Sequence, residues 1–365
     1  TMSKAAELAN LIGNINAGGG GANRNIVING AMNCSQRSTS VTGIGGSSGY
    51  FTCDRWLIAQ SGDGRLTMTQ DSSVPTGKGF ANSIKLDCTT ADTSIAAGEF
   101  LQIVQKIEGQ NLQSIGKGTS DAKPITVSFY VKANAAFNFV CELNDLDNTR
   151  HISKLFSTTT DWVKHEITFP ADTTGAFDDD NAASLNLTFW LHAGSTYSSG
   201  TLNTASFAST TNANRAAGVS SFYSSTDNNF FITGVQLEVG QNPTSFESEP
   251  FDVTLKKCQR YFQCSYSYGN NVFTDTGDGN SIVSNSWGDG NASLEGQFLG
   301  GPMRATPTTV LRPRGSTTTG QVNSAGTNRS ASVVHDCSNS IGYIQITSGT
   351  ASNWVGYTIT QESEL

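Results

Sequence analysis

Apolar and polar residues alternate along most of this chain. Val127, Phe129 and Val131 fall on one side of "ITVSFYVKAN" (125–134), and Leu185, Leu187 and Phe189 on one side of "SLNLTFWLHAG" (184–194). A period of two marks a strand with one buried face. The same reading gives strands at "DRWLIAQ" (54–60), "GRLTMTQ" (64–70), "NSIKLDCT" (82–89) and "EFLQIVQKIEG" (99–109). "FNFVCEL" (137–143), "WVKHEITFP" (162–170) and "NFFITGVQLEVG" (229–240) follow, and Ile26-Val27-Ile28 predicts an opening strand before an Asn-Gly turn. Gly, Ser, Asn and Asp turns separate these runs without helical periodicity. That spacing predicts a β-sandwich and excludes a parallel α/β fold.

Two stretches break the pattern. In "SKAAELANLIGNIN" (3–16), Leu8, Leu11, Ile12 and Ile15 recur at helical spacing behind a Ser3 cap, and "AGGGGAN" follows as a flexible joint. One apolar stripe on so short a helix is marginal alone and is better stabilised by copies of itself. Near residue 250, "EPFDVTLKKCQRYFQCSY" reads as a helical turn or a strand entry, and six more short strand patterns follow. The chain therefore divides into a short helix and joint (1–23), a β-sandwich (24–250) and a second, smaller β-sandwich (251–365). The fold class is all-β with a short N-terminal helix.

Composition supports this reading. Hydrophobic residues make up 36% and charged residues 14%, with 19 Phe and 38 Gly, so neutral polar residues carry the polarity. Disordered chains combine low hydrophobicity with high charge and few aromatics, unlike this one. A net charge of -8 with scattered Lys and Arg argues against nucleic acid, and no apolar run suits membrane insertion. Seven cysteines without a Cys-x-x-Cys pair predict buried free thiols.

Motifs for catalysis are weak. "GGSSG" (45–49) matches Gly-x-Ser-x-Gly around Ser47, but an aromatic strand pattern follows where a helix is needed. The four histidines lack metal-ligand spacing, and Asp178, Asp179 and Asp180 read as a solvated acidic loop. No catalytic residue, metal site or cofactor is assigned.

"NIVINGAMNCSQRSTS", "YFTCDRW", "ITVSFYVKA", "ANRAAGVSSF" and "FFITGVQLEVGQNPTSFESEPFDVTLKKCQRYF" resemble bacteriophage tail-fibre and related virion fibre proteins. The resemblance covers roughly residues 24–264, and the "ITGVQLEVG" and "CQRY" segments are its most specific parts. It implies a carbohydrate-binding-module-like jelly roll in a homotrimeric adhesin, joined to other virion proteins through its N-terminus. Assembly would take place in the host cytoplasm, and the partner would be a host-cell surface glycan. A capsid-attached head fibre or decoration protein is the alternative, and a glycan depolymerase a further one.

Sugar contact needs aromatic rings against apolar sugar faces and polar groups for the hydroxyls. Tyr266, Tyr268, Trp287, Asp289 and Asn291 offer that mixture in the distal module, and Tyr197 in "GSTYSSG" is another candidate. The stripe of Leu8, Leu11, Ile12 and Ile15 would drive oligomerisation. The intact chain should accordingly have a trimeric mass in solution, weakened by deleting residues 1–20. A monomeric mass at micromolar concentration in analytical ultracentrifugation would contradict it.

Overall fold

The computed structural model describes residues 3–14, 23–266, 268, 272, 282–285, 290–295, 301–313, 316–324, 326–334, 343–349 and 354–365. Helix α1 (Lys4–Asn14) comes first, with the Ala6 amide donating to Ser3 Oγ (3.3 Å) as an N-terminal cap. Leu8 and Ile12 are 57% and 49% exposed, Leu11 is half-buried, and Ile15 lies outside the described residues.

The jelly roll begins with β1 (Ser40–Ile44), β2 (Gly49–Tyr50), β3 (Leu57–Ser61), β4 (Arg65–Asp71) and β5 (Ser83–Thr90). Next come β6 (Phe100–Glu108), β7 (Ile125–Ala133), β8 (Asn138–Asp145), β9 (Arg150–Ser157) and β10 (Val163–Phe169). β11 (Ala183–Ala193), a one-turn helix α2 (Ser195–Ser198), β12 (Ala208–Ser209) and β13 (Asn229–Val239) complete it. One sheet has the order β1-β4-β5-β13-β7-β10 and the other β12-β9-β8-β11-β6-β3-β2, with antiparallel pairings throughout.

The alternation seen in the sequence becomes the core. Val127, Phe129 and Val131 of β7 face Leu185, Leu187 and Phe189 of β11, and all six are fully buried. Phe129 meets Phe189 edge-on at 5.0 Å and Phe139 meets Phe230 at 5.4 Å, a geometry favoured by the ring quadrupoles.

Ile26-Val27-Ile28 differs from its predicted strand: the segment bends at Val27, turns from Ile28 and joins no ladder. β5 covers β13 only as far as Ile232, where a bulge at Gly234 (φ 62°) shifts the register. Beyond it, Ile26 N donates to Leu237 O (2.9 Å) and Val235 N donates to Gly30 O (2.9 Å). On the other side, the Gln105 side chain accepts from Ile28 N (2.7 Å) and donates to Ile28 O (2.9 Å), taking the place of a neighbouring strand. A Cβ on Gly30 would lie 2.0 Å from Val235 O, so only glycine fits this turn.

Helix α3 (Phe251–Gln259) resolves the change of pattern near residue 250 and leads into the second module. Its strands are β14 (Phe262–Cys264), β15 (Ile282–Asn285), β16 (Gly290–Glu295), β17 (Thr308–Pro313) and β18 (Gln321–Ser324). β19 (Thr327–Val334), β20 (Tyr343–Gly349) and β21 (Trp354–Glu362) follow. β21 is central, with β14 and β15 along one edge and β17 and β18 along the other. β19 pairs β18 with its first half and β20 with its second, turning the chain from one ladder into the next.

The polar stretch 33–39 is not a surface loop. Ser35, Gln36, Arg37 and Ser38 are buried, as are Asp54 and Arg55, because the second module closes over them. Arg37 contacts Asp54 (3.4 Å) and Glu364 (3.2 Å), and Arg55 forms an ion pair with the other Glu364 oxygen. The two guanidinium groups lie on the rings of Phe262 (3.8 Å) and Tyr261 (3.5 Å). Lys106 donates to Leu365 O (2.6 Å), and Arg304 donates to Ser363 O (2.8 Å) and Asn181 O (3.0 Å). Breaking a buried ion pair leaves an uncompensated charge, at about 3–5 kcal/mol. Glu364→Ala should lower stability in chemical denaturation by that order, and Glu364→Gln by less. An unchanged midpoint in both variants would show that the joint contributes nothing.

Candidate functional site

The outer face of the seven-stranded sheet is built by the residues that alternate with the core. Cross-strand register places His151, Asn144, Asn186 and Lys106 in one row across β9, β8, β11 and β6. Ser153, Glu142, Thr188 and Val104 form the next row, and Leu155, Val140, Trp190 and Gln102 the third. The loop after β11 covers part of this face. Arg215 donates from Nε and Nη2 to the fully buried Glu142 (2.7 and 2.8 Å), and Trp190 Nε1 donates to the same carboxylate (2.9 Å).

Beside that cover, three half-buried amides stay unengaged. The side chains of Asn144, Asn186 and Gln102 make no hydrogen bond to any described residue, and Asn186 Oδ1 is shielded and unpaired. Buried polar atoms normally find partners, so an unpaired acceptor in an amide cluster marks a place for water or a ligand hydroxyl. Lys106 borders the strip, and burial and Arg55 pull its ammonium pKa below the ordinary value. Sequence reasoning missed these amides, although their outward positions follow from the alternation it had found.

The sequence-predicted residues are placed as follows. Tyr197 packs on Trp190 (5.2 Å) and Phe100 (5.7 Å) at the covered end of this face. Tyr266 shares a hydrogen bond with Thr358 Oγ1 (2.8 Å). Tyr268 is 45% exposed, yet its hydroxyl donates to Asn33 O (2.8 Å) and accepts from Ser35 N (2.8 Å), fastening the second module to the first. Trp287 and Asp289 lie outside the described residues, and Asn291 is described only as a backbone position of β16. The six described cysteines are free, and all but the half-buried Cys264 are buried; Cys337 lies outside the described residues.

Among the described residues, Cys34, Asp54 and Cys258 are the one group of three metal-ligand types brought together. Its carboxylate already accepts from Cys34 Sγ (3.0 Å), Gln36 Nε2 (2.9 Å), Gln36 N (3.3 Å) and Arg37. The hydrogen bond with Cys258, burial and Asp54 push the Cys34 thiol up and keep it protonated. Ser47 lies in the loop between β1 and β2, with the short strand β2 and no helix after it.

No protein-family model matches the chain, and no curated protein matches it. Among solved structures, the enzymatically active domain of bacteriophage CBA120 tailspike protein 4 aligns at 13% identity and a TM-score of 0.30. That alignment covers 51% of this chain and 19% of the tailspike chain, so the likeness spans about a fifth of that protein. A family 11 carbohydrate-binding module from a Clostridium thermocellum cellulase aligns at 12% identity and TM-score 0.28, over 55% of this chain and 95% of its own. The N-terminal cellulose-binding domain of Cellulomonas fimi β-1,4-glucanase C gives 12%, 0.28, 52% and 90%. At such scores the fold assignment rests on the strand pairings described above.

The buried histidines set an acid limit. Burial lowers the pKa of His151, outweighing the opposing pull of Glu142, and likewise lowers those of His165 and His192. The unfolded chain then binds these protons more tightly than the folded one. Their contribution to stability is complete above about 6.5 and is lost as pH falls through the lower folded values. The melting temperature should therefore decline between pH 7 and pH 5, and a flat profile would contradict it.

Proposed function

We propose that this chain is a bacteriophage virion fibre protein that attaches to host-surface glycan through the outer face of its seven-stranded sheet. The observation that carries the reading is the unengaged amide pair Asn144 and Asn186, side by side on β8 and β11, with the unengaged Gln102 two rows away on the same face. Amides both donate and accept, which suits sugar hydroxyls, and the sheet fixes them rigidly. The exposed Leu8 and Ile12 of α1 support self-association into a homotrimer. The resemblance of residues 24–264 to virion fibre proteins supports the particle as the setting, with α1 meeting other virion proteins. No helix among the described residues is long and apolar enough to cross a membrane.

Binding of the purified protein to host cells tests the reading. Asn144→Ala with Asn186→Ala should weaken attachment by roughly five- to 150-fold, since each lost hydrogen bond is worth about 0.5–1.5 kcal/mol. The melting temperature should not move. If this double variant binds normally while Trp287→Ala abolishes binding, recognition belongs to the distal module. Release of oligosaccharide from host polysaccharide would instead make the protein a depolymerase.

A further inference from the structure

A cavity of about 320 Å³ lies where the jelly roll meets helix α3. Asn23, Asn25, Ile26 and Ile28 line it from the opening segment, Asn111 from the turn after β6, and Lys257, Arg260 and Tyr261 from α3 and its end. We propose that this junction pocket binds a single acidic sugar residue, one that carries a carboxylate. The amide strip shares none of these residues, so the proposal stands apart from the sheet-face reading.

Three features point to that ligand class. First, both charged lining residues are cations in a chain of net charge -8, and no carboxylate lines the cavity. Their partners lie outside the lining: Arg260 donates from Nε (3.0 Å) and Nη2 (2.8 Å) to the fully buried Glu108, and Lys257 pairs with Glu249. Arg260 keeps Nη1 for an incoming acceptor, and both cations remain partly exposed, at 36% and 33%. Each cation is already ion-paired, so what the lining offers a carboxylate is short-range: the free Nη1 of Arg260 and the partly exposed ammonium of Lys257.

Second, Asn23 and Asn111 are exposed, and their side-chain amides make no hydrogen bond to any described residue. They can serve hydroxyls, whereas Asn25 is consumed by Val235 O, Val27 N and Leu237 N. Third, Ile26 and Ile28 alternate with the core residue Val27 and offer an apolar floor to a ring face. Tyr261 is buried and its hydroxyl is held by Glu108, so recognition is polar and ionic rather than stacking. The volume is at the small end of the roughly 300–1,000 Å³ of ligand pockets, too small for a long chain.

Calorimetric titration of the full chain with a galacturonate or glucuronate disaccharide tests the proposal, with neutral disaccharides and acetate as controls. Uronate should bind and raise the melting temperature, because the lining spans the module junction, and its affinity should fall with added salt. Asn111→Ala, an exposed change, and Lys257→Met should each weaken uronate binding about tenfold. The Asn144/Asn186 double variant should leave it intact. Equal binding of neutral sugars, of acetate alone, or of uronate by both pocket variants would overturn the assignment.

Discussion

Burial of two arginines between the modules is the constraint on which the rest of this structure depends. A guanidinium removed from water must be met by charge and by hydrogen bonds, or the folded state is strongly penalised. Arg37 and Arg55 are met by Asp54 and Glu364 and by the aromatic faces of Phe262 and Tyr261. These groups come from four distant parts of the chain. None can move alone, so the jelly roll, helix α3 and the tail at Ser363–Leu365 form one joint.

That joint explains features that are otherwise odd for a β-sandwich. A polar run at Ser35–Ser38 is buried because it supplies the donors that the joint requires. Gln36 serves both modules at once, donating to Asp54 Oδ2 and to Phe262 O. Tyr268, which the sequence offers as a sugar-binding ring, spends its hydroxyl on the same loop. Of the two segments that carry the sequence resemblance most specifically, "CQRY" supplies Tyr261 to this contact, whereas "ITGVQLEVG" belongs to β13.

Two surfaces follow from the rigid arrangement. The outer sheet face presents amides at positions set by β-strand register, while the junction pocket exists only because α3 packs against the opening segment. The first is built from jelly-roll residues alone; the second also needs those of α3 and its end. Buried Glu108 shows the coupling. Burial alone would raise its pKa, but hydrogen bonds from Arg260 and Tyr261, with the charge of Arg260, bring it below the ordinary value. It thus remains an anion that orients Arg260 at the pocket edge.

The sequence by itself determined the all-β class, most of the jelly-roll strands and the core face of each. Period-two alternation is a local property, and Val127, Phe129 and Val131 declare their side without knowledge of any partner. It also indicated free, mostly buried cysteines, and it marked the break in strand pattern near residue 250 where helix α3 lies. What only the tertiary structure decided is which polar residues are buried and which amides are left open. Ile26–Ile28 has strand composition, yet its neighbours turned out to be β13 on one side and a single glutamine side chain on the other. Asn144 and Asn186 look like ordinary outward strand positions until register sets them side by side, and Arg37 looks solvated until Glu364 arrives from the far end of the chain. Such contacts join residues remote in sequence, and no local pattern encodes them.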